Sequence, residues 1–240
     1  MKSKRDKIVA IVPAAGFGKR FGKERNKPLY SLNGKPIVVW VLETLQGVDE
    51  IDEIVPVFKE EDLVSGAELV EAYNISKARR IVCGGRERQD SVNNALSTLD
   101  DNTSIVVVHD GARPLVDREL FRMAIGSLNG VDGVVAGVPV KDTIKETDKS
   151  EGPQTGVIVK RTLDRSLLWG IQTPQAFNFQ KLKDAYEKAC SEGFYATDDS
   201  ALVELYGGKI RIIEGSYRNI KITTPDDIVI AEALINALYR

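Results

Sequence analysis

The sequence predicts an α/β protein built on a doubly wound, mostly parallel sheet with a protruding β-hairpin arm. Three observations carry that prediction. Short β-rich runs alternate along the chain with stretches of helical apolar spacing, the order in which parallel strands are joined by crossover helices. Runs such as Ile8 to Val12 are unbroken apolar segments, as strands covered on both faces are. One stretch, 140–160, breaks the rhythm, with Thr/Ile/Val-rich halves and no helix between them.

Taken in order, Lys7–Pro13, Glu53–Phe58, 79–83, 104–109 and 133–140 are the expected strands. The segment 88–99 places Val92, Ala95, Leu96 and Leu99 on one helical face, and Leu182, Ala185, Tyr186 and Ala189 repeat that spacing. A last helix opens at Thr224-Pro225-Asp226-Asp227, with Thr224 as N-cap and Pro225 in the first helical position. It would bury Ile228, Ala231, Leu234, Ile235 and Leu238. In the arm, 142–145 and 156–159 alternate in the manner of strands, and the polar residues 148–154 separate them. This hairpin is too polar for a core, and a surface hairpin without function would look the same. The expected organisation is one domain over 1–240, with 140–160 as its arm.

With 240 residues the chain can bury a sizeable core. Its 33 Lys and Arg against 35 Asp and Glu leave a net charge of −2, so a nucleic-acid-binding role is not expected. The basic start, 2–7, is followed by only five apolar residues before Pro13, which predicts a buried strand rather than a secretory leader. No stretch approaches the roughly 20 apolar residues of a membrane helix, so a cytoplasmic protein that does not bind membranes is expected. Cys83 and Cys190 are the only cysteines and His109 is the only histidine. Disulfide frameworks, thiolate zinc sites and His-rich metal sites are thereby excluded. Catalysis must rest mainly on Lys, Arg, Asp and backbone, the repertoire of phosphate chemistry.

Four stretches supply such groups. The first strand runs into Pro13-Ala14-Ala15-Gly16-Phe17-Gly18-Lys19-Arg20, with Lys27 beyond. Small residues let backbone N–H groups approach an anion, and Arg20 and Lys27 can sit over a polyphosphate. A dinucleotide fingerprint would need glycine where Phe21 stands, and no Gly-Lys-Ser/Thr occurs. A tight βα turn would explain the glycines equally well. The fourth strand delivers His109-Asp110-Gly111-Ala112-Arg113-Pro114, where Asp110 can hold Mg²⁺ against phosphate oxygens and Arg113 can face a second phosphate. An Asp-Gly turn with a surface salt bridge is the alternative, and His109 is expected to be its buried neighbour without a catalytic role. In Gly84-Gly85-Arg86-Glu87-Arg88-Gln89-Asp90-Ser91, backbone near Gly85 can read a base edge and Ser91 can bond a ligand, although helix capping is an equal explanation. Finally, Lys221 lies between Ile220 and Ile222 on an expected short strand and points away from them.

Together these stretches closely resemble the 2-C-methyl-D-erythritol 4-phosphate cytidylyltransferase family. The resemblance spans 13–27, 84–92, 109–114, 140–145, 162–175, 197–205 and 219–225, almost the whole chain, with Pro28 and Gly111 as departures from the usual pattern. It implies a Rossmann-like nucleotidyltransferase. The implied reaction is transfer of a cytidylyl group from CTP to methylerythritol phosphate, with Mg²⁺ and release of pyrophosphate, in the non-mevalonate isoprenoid pathway. By the same resemblance, Arg20 and Lys27 stabilise the pentavalent phosphorus and Asp110 lies near the metal. Ala14, Ala15, Gly16, Gly18, Gly85 and Ser91 hold CTP. Arg165 and Lys221 position the acceptor phosphate, with Arg113, Thr143 and Thr173 around it. A homodimer is also implied, the arm packing on a symmetry mate so that Thr143, Arg165 and Thr173 complete the acceptor site of the partner subunit while Arg20, Lys27, Asp110 and Lys221 act in their own. A phosphate monoester is already an anionic nucleophile, so the reaction needs cations that unite two anions rather than a general base. Ribitol 5-phosphate cytidylyltransferase is the alternative of the same class. A silent nucleotide-binding module would be expected to lose some of Arg20, Lys27, Asp110 and Lys221.

Overall fold

The computed structural model of the protein describes residues 7–16, 29–148 and 156–238. Strand β1 (Lys7–Pro13) lies inside a seven-stranded sheet, and its side chains alternate between two cores. Ile8, Ala10 and Val12 face one, and Val9 and Ile11 face the other. A strand buried on both faces has no position for a polar residue, which is why this run is unbroken. After the short hairpin β2 (Ser31–Leu32) and β3 (Lys35–Pro36) comes α1 (Ile37–Gln46), whose Val38, Val41, Leu42 and Leu45 cover the first face.

Strand β4 (Glu53–Phe58) pairs parallel with β1. Helix α2 (Leu63–Ala72) leads to β5 (Val82–Cys83), which pairs parallel with β4. Helix α3 (Arg88–Leu96) lays Val92, Ala95 and Leu96 on the second face. Strand β6 (Thr103–Val108) pairs parallel with β1 on its other side. Helix α4 (Arg118–Gly126) returns to the first face through Leu120, Phe121 and Ala124. Strand β7 (Gly133–Pro139) precedes an arm hairpin of β8 (Lys145–Thr147) and β9 (Val159–Thr162).

The chain re-enters the sheet as β10 (Trp169–Asn178), antiparallel to both β6 and β7. Helices α5 (Phe179–Glu192) and α6 (Asp199–Leu205) pack on the second face. Strand β11 (Ile210–Glu214) closes the edge parallel to β7, and α7 (Pro225–Leu238) packs Ala231 and Ile235 against Leu32, Ile37 and Ile222. The strand order is β11-β7-β10-β6-β1-β4-β5. The chain leaves β1 for β4 on one side and β6 on the other, so the crevice beyond their carboxyl ends is the switch point where α/β sheets bind ligands.

Several expected boundaries move. The 79–83 strand is reduced to Val82–Cys83, and the 88–99 helix ends at Leu96 with Leu99 packed beside it. Arm pairing joins Lys145 to Thr162 and Glu146 to Arg161, later than the expected halves, and the turn residues 149–155 lie outside the described residues. Charge accounts for that register, because Glu146 holds Lys160 at 3.1 Å and Arg161 at 2.6 Å. Helix α7 begins at Pro225 as expected, with Thr224 in the N-cap position, and Asp227 closes that turn. Its carboxylate accepts from the Thr223 N–H at 2.6 Å, the Thr223 hydroxyl at 2.8 Å and the Thr224 N–H at 2.8 Å. Ile228 and Leu234 are only half-buried, and the Leu238 side chain is outside the described residues. Neither β10 nor β11 is anticipated from the sequence.

Phe177 of β10 is fully buried among β6, α5 and α6. Phe177→Ala is expected to cost about 3–5 kcal/mol, read as a fall of roughly 10 °C in Tm by calorimetry.

Candidate active site

Three strand ends meet at the switch point. Beyond β1, the Ala14 N–H donates to the Val57 carbonyl at 2.8 Å, and Ala14 and Ala15 are buried while Gly16 is exposed. Beyond β4, the Phe58 carbonyl accepts from the Gly84 N–H at 2.7 Å. A Cβ on Gly84 would lie 2.5 Å from the Ala15 Cβ and 2.9 Å from the Ser91 Oγ, so only glycine lets these loops touch. Beyond β6, the Gly111 N–H donates to the Pro13 carbonyl at 3.2 Å. The small residues therefore serve backbone packing between loops at the place where an anion would enter.

Ser91 is buried, and its hydroxyl accepts from the Gly85 N–H at 3.1 Å and donates to the Glu87 carbonyl at 3.1 Å. Asp90 caps the same turn by accepting the Glu87 N–H at 2.9 Å. The capping explanation of this motif therefore holds, and the same bonds fix the Gly85 backbone.

Asp110 is the centre of the site. Its carboxylate is buried at the end of β6, with Arg88 Nε 3.0 Å from Oδ1, Lys221 Nζ 2.8 Å from Oδ2 and Arg113 Nε 3.5 Å from Oδ2. Burial pushes this carboxyl up, but Arg88, Lys221 and Arg113 outweigh it and hold it well below the usual carboxylate range. Arg88 in turn grips Asp199, with Nη1 3.0 Å from Oδ1 and Nη2 2.7 Å from Oδ2.

Strand β10 supplies the frame. Its register breaks between Ile171 and Gln175, and because β10 runs against β6, the break falls beside Asp110. There the Thr173 hydroxyl accepts the Asp110 N–H at 3.0 Å and lies 3.1 Å from His109 Nδ1. His109 Nε2 lies 3.2 Å from the Arg113 carbonyl, which can only accept. The proton therefore sits on Nε2, and Nδ1 accepts from Thr173. Burial pushes the imidazole down to about 4, keeping it neutral in this role. Asn219, buried in turn, donates to the Thr173 carbonyl at 2.8 Å, and its own carbonyl accepts from Arg113 at 2.8 Å.

Lys221 is not on a strand. The segment 215–224 carries no ladder, and it is held by Asn219 and by the Ile222 N–H on the Ala112 carbonyl at 2.9 Å. The expected alternation nevertheless stands, with Ile222 buried and Lys221 40% exposed toward Asp110. Asp110, Arg113, Thr173 and Lys221 are thus brought together, so Thr173, expected with Thr143 and Arg165 in the partner's site, stands instead beside Asp110 of its own chain. Thr143 and Arg165 are exposed around the arm, where Arg165 donates to the Lys141 carbonyl at 2.5 Å. Gly18, Arg20 and Lys27 lie outside the described residues. Sequence reasoning assigned no role to Arg88, Asp199 or Asn219; the only signal was an arginine and an aspartate at two helix starts, where charge is ordinary.

The arrangement is a basic crevice around one carboxylate, suited to gathering phosphates. The family model for 2-C-methyl-D-erythritol 4-phosphate cytidylyltransferase matches residues 8–237. This chain belongs to that cytidylyltransferase family. The family member from Syntrophus aciditrophicus is 43% identical over 230 residues, spanning 95% of this chain and 96% of its own. The one from Clostridioides difficile is 43% identical over 231 residues, with 96% and 94% covered. Among solved structures, 4-diphosphocytidyl-2C-methyl-D-erythritol synthase from Anaerococcus prevotii aligns with a TM-score of 0.83 at 34% identity, covering 96% of this chain and 99% of that one.

The neutral, buried His109 makes cytidylyltransferase stability depend on pH. The unfolded imidazole takes up its proton near 6.5, and the folded one only at about 4. Stability is therefore complete above about pH 6.5 and falls on acidification through that window, by on the order of 3 kcal/mol. Urea unfolding from pH 7 to 4 should show a steeper loss in the wild type than in His109→Asn, and equal slopes would refute it.

Proposed function

We propose that this protein transfers a cytidylyl group from CTP to 2-C-methyl-D-erythritol 4-phosphate. An oxygen of the acceptor phosphate attacks the α-phosphorus of CTP, and pyrophosphate leaves. The observation that carries the reading is the convergence of Arg88, Arg113 and Lys221 on Asp110 at the switch point. Arg88, Arg113 and Lys221 against Asp110 and Asp199 leave one net positive charge, to which Arg20 and Lys27 would add, for two phosphate-bearing reactants. Lys221, the most exposed of the three, is free to turn its ammonium from Asp110 to the acceptor phosphate. Ala14, Ala15, Gly16 and Gly85 present backbone to the nucleotide, with Gly18 continuing that loop. Arg20 and Lys27 neutralise charge on the transferred phosphoryl group. Arg113, held by Asn219 and Asp110, is the fixed cation against which the acceptor is aligned.

Among the described residues no three His, Cys, Asp or Glu side chains gather as a metal cage. The donor set suits Mg²⁺ in a different way, because this ion commonly takes one or two carboxylates and completes its shell with substrate phosphates and water. Asp110 is the carboxylate that would hold it. When bound, the ion supplies charge neutralisation on the triphosphate.

The arm exposes Val157, Ile158 and Val159, and Leu167 and Trp169 are exposed where it rejoins the sheet. We read 140–160 as a dimerisation arm of a single 1–240 domain, the apolar strip packing on a second copy. Thr143 and Arg165, which stand apart from the Asp110 cluster, would then serve the acceptor site of the partner subunit. No described helix is long and apolar enough to cross a membrane, in keeping with a cytoplasmic enzyme.

Purified protein with CTP and Mg²⁺ should release pyrophosphate with methylerythritol phosphate at least tenfold faster than with ribitol 5-phosphate. Equal or faster turnover of ribitol 5-phosphate would reassign the acceptor and keep the reaction. For the shared site, Lys27→Ala and Arg165→Ala are each expected to be nearly inactive. Mixing them under subunit exchange should restore up to half the activity of a wild-type dimer in each mixed dimer. No recovery, despite exchange shown by mass spectrometry, would place both residues in one subunit's site.

A further inference from the structure

Asp199 is the most completely buried acidic side chain in the described residues, with no exposed surface. It lies at the first position of α6, on the far side of Arg88 from Asp110. Every strong bond it makes is to a single neighbourhood. Oδ2 takes Arg88 Nη2 at 2.7 Å, and Oδ1 takes Arg88 Nη1 at 3.0 Å and the Tyr186 hydroxyl. Carboxylates are costly to bury, and a hydrophobic side chain of similar size would often stabilise as well or better. Packing alone therefore does not account for an aspartate here.

The geometry of arginine supplies a reason. A guanidinium is a rigid planar fork with donors on more than one edge. Asp199 occupies the Nη edge in a bidentate grip, which fixes the plane and leaves Nε aimed at Asp110 Oδ1, 3.0 Å away. Tyr186 of α5 holds Asp199 from behind. The neighbouring Asp198 ties the start of α6 to β10, accepting from Gln175 at 2.8 Å, while the Ser200 N–H donates to Gln175 Oε1 at 3.2 Å. The same strand fixes the Asp110 backbone through Thr173. Both ends of the Asp199, Arg88 and Asp110 chain are thus referred to β10.

We infer that Asp199 is a positioning residue of the transfer reaction, acting through Arg88 to set the orientation of the Asp110 carboxylate. The inference rests on the reading above that Asp110 belongs to the active site. It differs from a structural role in one respect: removing both charges should restore the fold but not the aim.

The test compares Arg88→Met, Asp199→Asn and the double variant with the wild type, measuring Tm, kcat and KM for CTP. Arg88→Met leaves a buried carboxylate uncompensated and should lose the most stability. The double variant should regain a Tm within a few degrees of the wild type while kcat stays at least tenfold lower and KM for CTP changes less than threefold. Return of kcat together with Tm would overturn the inference and leave the pair purely structural. Should the double variant fail to fold, Arg88→Lys decides, since an ammonium keeps the charge but cannot span both carboxylates. A kcat at least fivefold lower is expected, and an unchanged kcat overturns the inference. A second readout is independent of turnover. The Arg88 Nε–H resonance should exchange slowly with solvent in the wild type and lose that protection in Asp199→Asn; an unaltered resonance counts against Asp199. Wild-type inactivity toward methylerythritol phosphate would sink the functional reading instead, and the resonance would still judge the positioning role.

Discussion

A carboxylate at the end of a buried strand is unfavourable unless opposite charge reaches it, and at Asp110 three cations do so from three parts of the chain. Arg88 comes from the start of α3, Arg113 from the turn after β6, and Lys221 from the ladder-free stretch before α7. Much else in this region can be understood as support for that meeting. Asp199 and Tyr186 hold Arg88, Asn219 holds Arg113, and the Ile222 amide on Ala112 brings Lys221 within reach. Together these contacts offset the cost of desolvating Asp110. The same surplus of positive charge is what an incoming triphosphate and a phosphate monoester require.

The parallel half of the sheet was legible because its signal is local. An apolar run such as 8–12 has one sensible fate, and Val92, Ala95 and Leu96 declare a helical face within a single turn or two. Strand β10 was hidden for a physical reason. Its Gln172, Thr173 and Gln175 are polar yet buried, each bonded to a distant partner such as Ser216, Asp110 or Asp198. Composition alone marks such residues as a loop, and only the tertiary bonds make them a strand. Strand β11 was missed on the opposite ground, since it is a half-exposed edge with weak patterning.

The site was legible in the same uneven way. Asp110, Arg113 and Lys221 could be named from the ends of elements and from family resemblance, because those positions face the crevice by topology. Lys221 kept its direction even though its strand did not form, since burial of Ile222 alone determines which way the next side chain turns. Arg88 and Asp199 are 111 residues apart in sequence. Nothing near either one announces the other, so their pairing could not be read before the fold was known.

The antiparallel entry of β10 between β6 and β7 has a consequence for how the protein comes into being. Strands β1, β4, β5 and β6 can assemble from a continuous early part of the chain, whereas the pair that encloses Asp110 needs residues beyond 170. Residues beyond 170 are synthesised after those strands, so the contacts they make close only once the earlier strands are available. An early folding unit would therefore carry the crevice lined but unfinished, its aspartate still open to water and not yet met by Lys221. Catalytic competence should arrive late, as a by-product of the last long-range closures, so that only a completely folded chain offers a basic crevice to nucleotides in the cell.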